Sequence, residues 1–531
     1  MKKILSILLG MLLVFGFAAS AFALHTDIPS EDSTPAVAAG TTSITLSGEI
    51  RERYDTRAVY FNKEVPMFQR MDSRVRLGFD AKMSPNTEGF VMLESTNEDS
   101  SDTAGGDLNY WGAGATGKAS TTQPYNASFA RGSFGGKLGT SLGDEPKGFM
   151  GIREAWILHQ GTGLLGVNSG FKVGHMSLIL GNGLFFNHTY YGDDAALVFV
   201  NPIKELELDA LAIRLNGQSL NLSSDVNAYV FAATYKPDKK TSIGFDVTYL
   251  DGQNLGDTAT VSTLLAGPVT PSGLSTSSIP SVHLWNFGLR GNTEIAGLGI
   301  YVDGEIQTGS EDMSGQPSGA LNLVGGTGNM DFKGKAIQAG INYKLNPVKL
   351  SLDYAYGSGD SGNNKNNFNT FVTTVGPEQH YTYVYEYRTT NAAGTAYGGL
   401  QNTWYLHLGA NADVMKDLNA DLGVYYLRAA NALTGDNGAN TGNLTRIYTA
   451  STGLVKNDAI PGGVSGSTSI GTEVDGKLTY KIDKGLQVFV EGGYLWAGSF
   501  WKNYYTVAGS TYGQTKVDNV WVAREGIQLN F

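Results

Sequence analysis

Arginines recur at alternate positions in two N-terminal stretches: Arg51 and Arg53 in ITLSGEIRERY (44–54), Arg74 and Arg76 in SRVRLGFDAKM (73–83). A guanidinium stays charged at any accessible pH and presents a planar fork of donors that matches a carboxylate. Alternate residues on one strand face lie about 6.6 Å apart and paired strands about 4.8 Å apart. At an effective dielectric near 20, each like-charge pair at about 6 Å costs roughly 3 kcal/mol before screening. Something must compensate such a strip. Glu49, Asp80 and Glu94 on the same faces would make it a salt-bridge network of purely structural value. Acids from another segment, with Glu98, Asp99, Asp102 and Asp107 as candidates, would instead face the arginines across a space. A passing anion would then meet bidentate donors on one side.

Other chemistry has less support. The chain has no H-E-x-x-H or P-loop pattern, and its single G-x-S-x-G match, at 139–143, falls in a long Gly- and Ser-rich loop rather than at a strand-to-helix turn, so neither a hydrolase nor a nucleotide site is expected. His159, His175, His283 and His407 fall in or beside strand-like stretches and read as rim or wall residues rather than bases. With no cysteine there are no disulfides, no thiolate metal sites and no C-x-x-C-H haem attachment, and no cofactor or metal is expected. Gly357-Ser358-Gly359-Asp360 with Asn363 and Asn364 offers oxygen ligands but lacks the spacing of a calcium loop, and reads as a turn. Tyr381, Tyr383, Tyr385 and Tyr387 alternate with Thr382, Val384, Glu386 and Arg388. Such a ladder either stacks on sugar rings or forms a hairpin that extends a wall near lipopolysaccharide.

The elements that position these residues are strands with two unlike faces. In 472–482 and 486–496, Val474, Leu478, Tyr480, Ile482, Val488, Val490, Tyr494 and Trp496 alternate with Glu473, Asp475, Lys477, Lys481, Gln487 and Glu491. Asp483-Lys484-Gly485 connects them, with Gly485 suited to the left-handed conformation. An 11-residue strand tilted by roughly 40° rises about 25 Å, the height of an outer-membrane apolar band. The pattern repeats about 18 times, with short turns alternating with long loops rich in Gly, Ser, Thr and Asn. The expected fold is all-β: a transmembrane antiparallel β-barrel of about 18 strands, with long extracellular loops, short periplasmic turns and both termini periplasmic. The stretches near 150–159, 170–177 and 194–201 alternate poorly. Closure sets Arg524 on the last strand beside the first. The expected pore-lining set is Arg51, Arg53, Arg74, Arg76, Asp80, Lys82, Glu94, Glu473, Asp475, Lys477, Lys481, Glu491 and Arg524.

Residues 1–23 read as a secretory signal peptide, with Lys2 and Lys3, an apolar run and Ala21-Phe22-Ala23. Residues 24–43 read as a disordered periplasmic leader and 44–531 as the barrel. A net charge of −11 argues against nucleic acid. Seventy Gly, 27 Tyr and only 16% charged residues suit tight turns and aromatic girdles, and hence the outer membrane of a Gram-negative bacterium with lipopolysaccharide around the wall. Oligomeric state is not legible. Two functions fit: a diffusion channel for small hydrophilic solutes, since about 18 strands enclose an aqueous lumen unless something fills it, or a sheath around a multihaem cytochrome inserted from the periplasm.

Four blocks resemble the alginate-export family of outer-membrane porins: GEIRERYDTR…RMDSRVRLGFDAK, REAWI…FKVGHMSLILGNGLFF…YYGDDAALVF, YAYGSGD (354–360), and GTEVDGKLTYKIDKGLQVFVEGGYLWAG (471–498). The resemblance implies an 18-stranded barrel and an exporter of an anionic saccharide. The ending GIQLNF is similar to the C-terminal strand of outer-membrane barrels, which implies that Phe531 is the signal read by the barrel-assembly machinery. Where the family has an arginine-lined pore, the inward charges here are mixed, and His175 stands where the pattern offers Arg.

Overall fold

A computed structural model describes residues 35–39, 42–58, 68–96, 149–189, 192–216, 226–253, 281–312, 329–359, 367–373, 381–385, 400–431, 467–500 and 518–531, with the side chains of 35–39, 68–73, 95–96, 149–150 and 216 excepted. The signal peptide, Glu98, Asp99, Asp102, Asp107, Asp360, Asn363, Asn364 and Tyr387 lie outside the described residues.

Eighteen strands make one closed antiparallel wall. They are β2 (Thr42–Ala58), β3 (Phe68–Ser84), β4 (Thr87–Thr96), β5 (Phe149–Gly161), β6 (Asn168–Met176), β7 (Asp193–Ile203), β8 (Leu206–Asn216), β9 (Val226–Tyr235) and β10 (Ser242–Gln253). The wall continues through β11 (Ser281–Ile295), β12 (Leu298–Asp312), β14 (Lys335–Leu345), β15 (Val348–Gly357), β17 (Thr403–Met415), β18 (Leu418–Ala429), β19 (Ser469–Asp483), β20 (Leu486–Ala497) and β21 (Val520–Asn530). Each pairs with its neighbour in sequence, and β21 closes on β2 with Glu49 opposite Asn530 and Ala58 opposite Trp521. Three short strands are accessory: β1 (Pro35–Ala39) runs along the foot of β2, and β13 (Asn329–Phe332) pairs with β16 (Asn367–Phe368).

The faces are those of a membrane barrel. Ile157, Val198, Leu289, Ile306, Leu408, Leu422, Leu478 and Val490 are exposed on the outside, while Arg51, Glu94, Asp246, Glu305 and Glu473 are buried inside. This inversion of the soluble-protein pattern follows when the outer solvent is lipid and the polar face lines the lumen. Aromatic side chains mark the upper edge of the outer band, among them Trp285, Tyr354, Trp404, Tyr426 and Trp496.

The turns opposite the long loops are tight. Gly485 takes φ +71° between β19 and β20, and Ala296 and Gly297 take φ +53° and +83° between β11 and β12. Between β9 and β10, Asp238 accepts the N–H of Lys240 at 2.7 Å and of Thr241 at 2.9 Å. The Lys240 amide, more than any other group, holds that carboxyl below its ordinary value. At the seam, the Phe531 N–H and carbonyl bond Gly48, and the Phe531 ring occupies the space a side chain at position 48 would need.

The weak alternation of β5 to β7 has structural causes. A bulge at Arg153 in β5 turns Arg153 and Glu154 both towards the lumen. In β7 the inward Ala195 and Leu197 are as apolar as the outward Ala196 and Val198, because something apolar packs inside.

Candidate functional site

The lumen has a charged side and an apolar side. On the charged side the inner faces of β2, β3, β4, β5, β20 and β21 bring together Arg51, Arg53, Arg57, Arg74, Arg76, Arg153 and Arg524. Sheet register sets Arg51 opposite Arg74, Arg76 opposite Glu94, and Arg524 between Asp55 and Glu491. Arg74 bonds Glu49 at 2.6 Å, and Arg76 bonds Glu94 at 2.7 Å. Arg153 approaches Glu94 at 3.4 Å, and Arg524 lies 3.3 Å from Glu491 and 3.8 Å from Asp55. Wall carboxylates therefore do much of the compensation the strip requires. Asp80 is not among them, since it sits lower on β3 beside Lys82 at 3.5 Å. At the level of the strip, seven arginines stand against five carboxylates among the described side chains, Glu49, Asp55, Glu94, Glu154 and Glu491, so positive charge is in excess there, while lower on the same faces Asp80 and Glu88 stand against Lys82.

Lys477 and Lys481 lie on the inner face of β19, with Lys477 3.2 Å from Glu491. Arg57, Asp55 and Arg153 are additions to the set legible in the sequence. Arg57 and Asp55 prolong the β2 alternation beyond Tyr54, a continuation the sequence does show. The bulge at Arg153 breaks the period of two and hides that residue.

On the apolar side, residues 177–188 between β6 and β7 fold into the barrel as a small hairpin. The Leu180 N–H bonds the Phe186 carbonyl at 3.0 Å, and the His188 N–H bonds that of Leu178 at 2.8 Å. Leu178, Leu180, Leu184, Phe185 and Phe186 are buried, as are Leu211, Ile213, Val230, Leu250 and Leu284 on the inner faces of β8 to β11. Gly181 at the tip takes φ +58°, and a Cβ there would meet Arg290 Nη1 at 2.6 Å and Asp303 Oδ2 at 2.8 Å. The next amide, of Asn182, donates to Asp303 Oδ2 at 2.9 Å. Arg290 is paired with Asp246, and Gly244 and Gly288 leave room for these side chains. The tip is thus docked on a polar patch of β10 to β12 while its sides are held by burial.

Two further segments enter the lumen from the loop after β15. Gln307 clamps the backbone of Val372, accepting its N–H at 3.0 Å and donating to its carbonyl at 2.7 Å. Residues 381–385 form a turn against β19 and β20, so the expected tyrosine strand does not exist over these residues. Their amides are taken by wall carboxylates rather than by a neighbouring strand: Tyr383 donates to Asp475 Oδ2 at 3.0 Å, Val384 to Glu473 Oε1 at 2.5 Å and Tyr385 to Glu473 Oε2 at 2.9 Å. The Tyr383 hydroxyl bonds Glu491 at 3.3 Å, and its ring lies 5.9 Å from the Arg524 guanidinium. Tyr381 packs on Tyr405 at 5.5 Å, and the Tyr385 hydroxyl lies 3.0 Å from that of Thr403.

His159, His175, His283 and His407 are wall and rim groups. His407 bonds Asp353 at 2.8 Å inside the lumen, whereas His175 with Asp194 and His283 with Asp251 lie on the outer face above the apolar band.

Residues 282–513 match the family model for alginate export. The barrel is similar to the alginate-export family. The match takes in YAYGSGD and the 471–498 block and stops short of the two N-terminal blocks. No characterised protein matches the chain by sequence at a significant level. Among solved structures, Acinetobacter baumannii OccAB1 is similar with a TM-score of 0.47 and 11% identity, over 94% of this chain and 100% of that one. Pseudomonas aeruginosa OccK2 (OpdF) is similar with a TM-score of 0.47 and 10% identity, over 92% and 98%. A closed 18-strand wall with an apolar outer face and a polar lumen is the form of a transmembrane β-barrel. A cytochrome sheath has no support, and the lumen such a guest would need is entered by the chain's own segments at 177–188, 367–373 and 381–385.

Proposed function

We propose that the barrel is a passive channel, not an enzyme, for small hydrophilic solutes bearing a carboxylate, which pass along the arginine wall. The observation that carries this reading is the excess of guanidiniums over carboxylates on one side of a lumen whose other side is filled with apolar chain. Low-dielectric walls strengthen the field of that excess and raise the local concentration of anions. Paired arginines keep spare donors, so a solute carboxylate can exchange with a wall carboxylate as it moves from one fork to the next. The infolded segments favour a small solute over a polyuronate chain. Phe531, seated over Gly48 at the seam, is the group we assign to recognition by the barrel-assembly machinery.

In planar bilayers under a salt gradient, the purified protein is expected to show steady conductance with a modest anion-selective reversal potential. Replacing Arg51 and Arg74 together with Glu shifts the potential towards cations, with heat-modifiable mobility reporting that the barrel still forms. Unchanged selectivity in a folded variant would assign the strip to the wall alone.

A further inference from the structure

Three consecutive backbone amides, those of Tyr383, Val384 and Tyr385, point at two carboxylates on the inner face of β19. Successive N–H groups in a turn form a concave site for negative charge. In this molecule that site is filled by the chain itself. Glu473 uses both of its oxygens, Asp475 one, and Glu473 is fully buried under the turn. Gly493 on the adjacent strand leaves the necessary space. A Cβ there would collide with Asp475 Oδ1 and would lie 2.6 Å from Val384 Cγ2. The turn also reaches the arginine wall, through the Tyr383 hydroxyl to Glu491 and its ring to Arg524.

We propose that Glu473 and Asp475 are a latch that positions residues 381–385 across the lumen, and that this latch sets the width of the channel beside Arg524. Charge-assisted hydrogen bonds are about twice as strong as neutral ones, and a buried carboxylate that loses its donors is costly. The turn and the two acids therefore hold each other: neither is stable in its place without the other. Apolar packing contributes as well, since Val384 is buried within the apolar cluster that also includes Leu495 and Tyr405. The latch differs from packing in one respect, which is that it depends on carboxyl oxygens as acceptors for three amides rather than on volume.

This inference rests on the channel reading for its consequence, but the position of the turn can be measured without transport. The chain has no cysteine, so Val384→Cys supplies the sole thiol, buried while the latch holds. In intact outer membranes, labelling of V384C by a water-soluble maleimide is expected to be slow. Adding E473Q and D475N should speed it about tenfold to a hundredfold, the factor that one charge-assisted hydrogen bond is worth in an opening equilibrium. Gly493→Val, which wedges the turn out by bulk and leaves both acids in place, should accelerate labelling as well. In bilayers the E473Q/D475N barrel should conduct more than the parent. Equal labelling of V384C with and without the acid substitutions, in barrels that retain heat-modifiable mobility, would overturn the latch. Faster labelling without increased conductance would overturn its role in setting the channel width, and faster labelling in a barrel with no anion preference would retain the latch while removing the channel's proposed selectivity.

Discussion

The two sides of the lumen are built from the same kind of strand and filled in opposite ways. On β2, inward positions run Glu49, Arg51, Arg53, Asp55, Arg57; on β9 they run Val226, Ala228, Val230, Ala232, Thr234. Outward positions on both are apolar or aromatic for the most part, so only the inner face distinguishes them. Charged side chains must be met by counter-charges or water, and the β2 side meets them with wall carboxylates. Apolar side chains must be covered, and the β9 side is covered by the 177–188 hairpin. A wall strand apolar on both faces is therefore a mark of chain folded inside the barrel.

The largest effect should come from uncovering the apolar side. Phe185→Ala and Phe186→Ala each remove a buried aromatic ring, a change that typically costs about 3–5 kcal/mol. That exceeds what a short hairpin can hold, so the pair should release it and raise single-channel conductance while the barrel persists. Next comes the charged side. Glu94→Gln leaves Arg76 and Arg153 without their shared carboxylate. Loss of one partner from a buried pair costs about 3 kcal/mol, which should lower the temperature at which the barrel loses its heat-modifiable mobility. A smaller effect is expected at the contact between the hairpin tip and the wall. Gly181→Ala sets a Cβ against Arg290 and Asp303 at a φ of +58°, a strain of about 1–2 kcal/mol. The change should speed hydrogen exchange at the Asn182 amide without altering selectivity.

Much of the wall was legible because alternation is imposed by the backbone and read on two solvents at once. Eighteen strands, the Gly485 turn and inward Arg51, Arg53, Arg74 and Arg76 all follow from a period of two. Arg153 was not legible, since one extra residue in β5 reverses the phase of everything beyond it. The tyrosines at 381–385 misled for a different reason. Their alternation is that of a strand, but a strand also needs a neighbour's carbonyls, and here Glu473 and Asp475 supply the acceptors from across the lumen. The hairpin at 177–188 was hidden in the same way: its apolar run looks like poor wall, and only the apolar inner faces of β8 to β11 show what it covers.

Which side of the lumen conducts can be measured directly, because every introduced thiol is unique in a chain without cysteine. Arg76→Cys places a thiol on the charged side and Leu211→Cys places one under the hairpin. A negatively charged thiosulfonate added to an open channel should modify R76C and reduce its current, while current through L211C stays unchanged. Modification of L211C with R76C untouched would put the aqueous path on the apolar side and contradict the account.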